Sequence, residues 1–246
     1  MRRREGLQLE LADARGWGGR RAGAGRKLVA ARPSPPHRPR PRHAARWPVH
    51  VTFRARGALP SLRSARVFPR LRSSLAADHK AAFRVVHFSV QTDHVHLIVE
   101  GDAPLALVRG LQGLAARCAK AVNRAVGRRG RVWSGRYHAR ALRTPTETLR
   151  GLVYVLLNFR KHLRAPPGVD PRSSGPWFGG WRRPRPAPSC DPCPVEPPRT
   201  WLAAVGWRRT GGVIALDDAP GSGRAVSGGD ARVSRGRTRA RAARRP

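Results

Sequence analysis

The chain has 246 residues, with 50 Lys+Arg against 14 Asp+Glu for a formal net charge of +36. That length suits one good-sized domain with extensions, or two small ones, and no stretch approaches the ~18 consecutive apolar residues of a membrane span. So positive a field favours a polyanion, either nucleic acid or an anionic membrane surface, although an Ala/Arg/Gly/Pro-rich composition also arises from GC-biased coding.

Residues 1–46 are dominated by Arg, Gly, Ala and Pro and run into RPSPPHRPRPRH. Such a stretch builds no hydrogen-bonded core and is expected to be disordered or PPII-like. No apolar segment follows the basic start, so no secretory signal is expected. From Trp47 the texture changes. VHVTFRAR (49–56) alternates, with Val51 and Phe53 on one face and His50, Thr52 and Arg54 on the other, the period of a half-buried strand. Residues 61–78 carry a helix that Pro69 shortens or kinks. FRVVHFSVQ (83–91) is β-branched and aromatic, a second strand. Thr92-Asp93 turns the chain directly into a third, His94–Glu100.

In residues 103–126, Leu107, Leu111, Leu114, Cys118 and Val122 recur at helical spacing. A fourth strand is expected over roughly Val132–Leu142. Thr144-Pro145-Thr146-Glu147 is a capping box with proline at the first helical position; the helix it opens should reach about His162, where RAPPG ends it. The order β-α-β-β-α-β plus a helix implies an α+β, ferredoxin-like split βαβ with an antiparallel sheet and one appended helix. Residues 166–230 form a partly ordered extension carrying Trp177, Trp181, Trp201 and Trp207, interrupted by the linker-like RRPRPAPSCDPCPVEPP; 231–246 is a disordered basic tail. Cys118, Cys190 and Cys193 make no disulfide framework, and a lone C-x-x-C falls short of a structural zinc site. The cell interior follows as the simplest compartment.

Strand alternation places His94 and His96 on one face, with Val95, Leu97 and Val99 on the other, beneath the crossover helices. Two imidazoles at i and i+2 can converge on one divalent cation; a half-exposed strand with incidental histidines gives the same pattern. Tyr154 and Asn158 lie four apart on one helical face. They offer a nucleophile and an oxygen ligand, or equally a buried tyrosine and an asparagine near a helix end.

Taken together, His94-Val95-His96 on a strand, then GRVWSGRYH, then YVLLN in a capped helix, resemble the IS200-like, REP-associated tyrosine transposases, a branch of the HUH single-strand endonucleases with one catalytic tyrosine. The resemblance spans about residues 47–165; in the turn before the histidines this chain has TDH where the family usually has PNH or SDH. It implies that His94 and His96 hold one Mg²⁺ or Mn²⁺, with Asn158 as a third contact. It implies too that Tyr154 attacks a phosphodiester of single-stranded, hairpin-forming DNA, giving a 5′-phosphotyrosine and a free 3′-hydroxyl for strand transfer without ATP. A bacterial cytoplasm, no membrane, and either a monomer or a homodimer go with it. A non-catalytic DNA-binding protein that keeps the fold is the alternative. Thr52, Arg54, Arg136, Arg160 and Lys161 are candidate DNA contacts; Arg54 is equally a solvated arginine, and Arg160 and Lys161 equally complement the helix dipole. Tyr137 is the rival nucleophile, though its strand position fits packing better.

Overall fold

The computed structural model describes residues 43–77, 81–188 and 192–218. The disordered termini expected at 1–46 and 231–246 fall outside these residues, apart from 43–46. Four strands, β1 (Val49–Arg54), β2 (Phe83–Val90), β3 (His94–Gly101) and β4 (His138–Ala141), form one antiparallel sheet in the order β2-β3-β1-β4. Helix α1 (Phe68–Ala76) joins β1 to β2, and α2 (Pro104–Val126) joins β3 to β4. This is the ferredoxin-like split βαβ that the sequence implies. The Thr144 hydroxyl accepts from Glu147 N and so caps α3 (Pro145–Leu157). A short α4 (Phe159–Leu163) follows it directly.

Alternation sorts the strands between two cores. Val51, Phe53, Val95, Leu97 and Val99 pack with Leu71 and Leu75 of α1 and Leu111, Leu114 and Val122 of α2. Gly110 is required there, because a Cβ at that position would run into the Phe83 ring. On the opposite face, Val86 and Ile98 pack under Leu149, Leu152, Val153 and Leu156 of α3, joined by Phe178, Trp181 and Trp207. Trp201, at the start of α5 (Trp201–Ala204), stays half exposed. Two of the extension's four tryptophans, Trp181 and Trp207, are therefore part of the second core.

Long-range polar contacts fix that extension. Arg63 forks onto the buried Asp170 with two 2.8 Å bonds and also donates to Val90 O. Buried Glu100 accepts from Thr200 N (3.0 Å) and Thr200 Oγ1 (2.8 Å) through one oxygen, and from Arg84 (3.1 Å) and Arg199 N (2.8 Å) through the other. Arg84 keeps a second carboxylate, Asp102 (2.9 Å), so removing Glu100 chiefly leaves the Thr200 and Arg199 N–H donors without their acceptor, at about 3 kcal/mol for several buried polar groups together. Glu100→Ala is expected to lower the urea-unfolding free energy by about that amount. A loss below about 1 kcal/mol, the scale of an exposed pair, would show that this network contributes little.

His87 lies wholly inside, its Nδ1 3.1 Å from Ser174 Oγ and its ring edge-on to Phe178. Burial pushes its pKa from 6.5 to about 4. The unfolded chain thus binds a proton in that interval that the folded chain refuses. The stability from neutral His87 is complete above pH 6.5 and is lost as pH falls toward 4, up to about 3 kcal/mol at about 1.4 kcal/mol per pH unit. His87→Leu should remove about one proton's share of the slope across this window, leaving that of the other buried histidines; an unchanged slope in urea titrations stepped between pH 7 and 4 would refute the assignment.

Three elements differ from expectation. The fourth strand is confined to His138–Ala141, because Trp133 makes only an isolated bridge to Ala55 and its indole donates to Ala115 O (2.8 Å). Strand β2 carries a bulge at Val86, which restores Phe88 and Val90 to the first core. The appended helix is interrupted at Asn158 instead of running unbroken to His162.

Candidate active site

The turn between β2 and β3 is tight: Gln91 N donates to His94 O (2.8 Å), so Thr92-Asp93 reverses the chain. His94 and His96 then emerge on the face that α3 covers. Antiparallel register sets Thr52 opposite His96 and Arg54 opposite His94, and on the far side of β1 it sets Thr52 opposite His138.

His96 is buried at the centre. The Asn158 carboxamide donates from Nδ2 to His96 Nε2 (3.1 Å). The ring proton is therefore on Nδ1, which donates to Thr52 Oγ1 (3.0 Å) and lies 3.3 Å from His50 Nε2. His94 Nδ1 donates to Asp93 Oδ1 (2.7 Å), leaving its other ring nitrogen toward the cluster. Asp93 also pairs with Arg54 (3.3 Å), whose side chain is largely exposed. This carboxylate–imidazole pairing is the usual way a metal-binding histidine is oriented.

The rings close around Tyr154. Its centroid is 4.9 Å from that of His96 and 5.4 Å from that of His50, both edge-on; His94 is 4.6 Å from His96. Burial, reinforced by the neighbouring imidazoles, pushes the His96 pKa down to about 2. Burial and then Arg140 push that of His50 to about 4. Burial and then His94 lower that of His162. The hydrogen bond from His94, with smaller contributions from the His94 and Arg54 charges, holds the Asp93 carboxyl below its ordinary range against the opposing effect of burial. Near neutral pH His50, His96 and His162 are therefore neutral imidazoles.

His94, His96 and His162 each bring one ring nitrogen within 4.8 Å of the others, a group able to hold a metal ion. Asn158 is fully buried, and its Oδ1 has no hydrogen-bond partner among the described residues. Three nitrogen donors beside an orphaned carboxamide oxygen fit a divalent cation.

The structure thus brings His94, His96, Tyr154, Asn158 and Thr52 together, with Arg54 at the rim. Arg160 is engaged elsewhere, donating to the carbonyls of Leu216 (3.0 Å) and Asp218 (3.1 Å). Arg136 and Lys161 are exposed on the surface. Tyr137 packs edge-on to Phe53 in the first core. Sequence reasoning passed over Asp93 and His162 as site residues. For His162 a signal existed, since Tyr154, Asn158 and His162 are spaced by four.

Comparison with protein-family models and with curated proteins finds no match. Among solved structures, the chain is similar to a REP-associated tyrosine transposase bound to a REP hairpin, with a TM-score of 0.43 and 16% sequence identity over 52% of this chain and 74% of that one. No helix among the described residues is long and apolar enough to cross a membrane.

Proposed function

We propose that this protein is a transposase-type endonuclease and strand transferase for single-stranded, hairpin-forming DNA, acting through a 5′-phosphotyrosine on Tyr154. The observation that supports it most is convergence. A histidine pair on β3 and a tyrosine–asparagine pair nearly sixty residues downstream meet in one polar cluster on the helix-covered side of the sheet. A tyrosine with only a packing role would not call for a buried histidine kept neutral by its surroundings, further imidazoles beside it and an orphaned carboxamide oxygen.

In this reading Tyr154 Oη attacks the phosphorus of the scissile phosphodiester. The new P–O bond joins the tyrosine to the 5′ side, the old bond to the 3′ oxygen breaks, and the phenol proton is given up as the 3′-hydroxyl leaves protonated. The covalent bond conserves the energy of the one that broke, so a 3′-hydroxyl can reverse the step for strand transfer. His94 and His96 would hold Mg²⁺ or Mn²⁺ once the Asn158 carboxamide turns over, taking Nδ2 off His96 Nε2 and presenting its unpartnered oxygen; the ion would supply charge to polarise and orient the phosphate. Thr52 and Asp93 orient His96 and His94 through their second nitrogens. Arg54 at the rim, with the exposed Arg136 and Lys161, provides cationic contacts for the backbone on either side. A phenol of pKa about 10 is a weak nucleophile unless its surroundings activate it.

The test is incubation of the full chain with a divalent cation and a library of single-stranded hairpins, followed by a denaturing gel. A protein–DNA adduct that survives denaturation is expected. Salt-sensitive hairpin binding with no adduct for any hairpin or cation would favour the non-catalytic alternative.

A further inference from the structure

His162 has no role in the chemistry above. Asn158 interrupts the helix but keeps right-handed dihedrals (φ −64°, ψ −21°), so the helical phase continues into α4. Tyr154, Asn158 and His162 consequently lie along one stripe. Helix α4 ends at Arg164, in left-handed conformation with φ 50°. His162 stands in the last turn of α4 beside Arg160 and Lys161. Its ring is edge-on to His94 with centroids 4.9 Å apart, and it supplies the third nitrogen of the cluster.

Resting on the reading of the site as a metal centre, we infer that His162 is a third imidazole ligand and that the centre takes a first-row transition-metal ion in preference to Mg²⁺. Three donors bound at about 2.1 Å to one ion lie about 3.0–3.4 Å apart in octahedral or tetrahedral geometry. The three nitrogens lie within 4.8 Å of one another, so closing on an ion takes side-chain movement of at most about 2 Å, within the reach of imidazole rotation. Magnesium demands near-octahedral oxygen ligands and gives up water reluctantly. Imidazole suits the later first-row ions, whose affinities for nitrogen sites rise from Mn²⁺ through Co²⁺ to Ni²⁺. With only His94 and His96, oxygen donors would fill most of the shell and Mg²⁺ would be acceptable. A third imidazole beside the Asn158 oxygen tips the donor set toward nitrogen. Manganese, the hardest member of the favoured class, remains compatible with phosphate chemistry.

The metal-free full chain is titrated with CoCl₂, MnCl₂ and MgCl₂, reading Co²⁺ ligand-field absorption and calorimetric affinity, with circular dichroism confirming that each variant is folded. Wild type is expected to bind Co²⁺ at least about 100-fold tighter than Mg²⁺. His162→Ala should weaken Co²⁺ binding by at least about 10-fold, the smallest loss expected of a direct ligand given what outer-shell partners cost. His162→Cys should restore Co²⁺ binding with a new thiolate-to-cobalt absorption band. If His162→Ala binds Co²⁺ as wild type does while His96→Ala does not, the centre exists and His162 is not part of it. If wild type binds none of the three ions saturably, the metal-centre reading itself falls.

Discussion

Tyr154→Phe is expected to lose covalent adduct formation entirely, a fall of at least about a thousandfold in cleavage, as removal of a nucleophile entails. The ring that stacks edge-on to His50 and His96 is retained, so packing on α3 and the fold should persist. Hairpin binding should change by less than about threefold, because phosphate contacts come from cationic groups and not from the phenol. Tyr137→Phe is the companion variant. Its ring packs on Phe53, within the first core, and it should form adduct at the wild-type level. An adduct that persists in Tyr154→Phe and disappears in Tyr137→Phe would overturn the nucleophile assignment.

The second large effect is expected at the histidines. His94→Ala with His96→Ala should cut cleavage by at least about a hundredfold while sparing most of the salt-dependent hairpin binding. A stability cost accompanies it. Removing His96 leaves Thr52 and Asn158 without their buried partner, at about 1–3 kcal/mol for stranded polar groups. Cleavage must therefore be compared at a temperature where both proteins are fully folded. If binding and cleavage vanish together in a folded double variant, the histidines organise the DNA surface and not the chemistry.

The parts legible in the sequence are those governed by short-range periodicity. Alternation set His94 and His96 against Val95, Leu97 and Val99, and the capping box located the start of α3. Helical spacing placed Tyr154 and Asn158 on one stripe, which the structure turns toward His96. What escaped depends on partners far along the chain. The bulge at Val86 exists because the second core takes that side chain while Phe88 and Val90 must still face the first. The extension after residue 166 reads as partly ordered, tryptophan-bearing pieces around a linker, with nothing in the sequence to say what they pack against. It is ordered by Asp170 reaching Arg63 and Thr200 reaching Glu100, contacts about a hundred residues apart. Arg160 illustrates the same limit: at a basic helix end it looked free for phosphate, and the carbonyls that engage it belong to that extension. His162 was hidden differently, because a histidine after Arg160 and Lys161 merges with an ordinary basic helix terminus.

The most direct measurement is the chemical identity of the linkage. Wild-type protein would be trapped on a hairpin in the presence of Mn²⁺, digested with nuclease and protease, and the nucleotide-bearing peptide sequenced by mass spectrometry. The account predicts a phosphodiester remnant on Tyr154 and an unmodified Tyr137. A remnant on any other residue, or a hairpin cut with no protein-linked nucleotide, would contradict it.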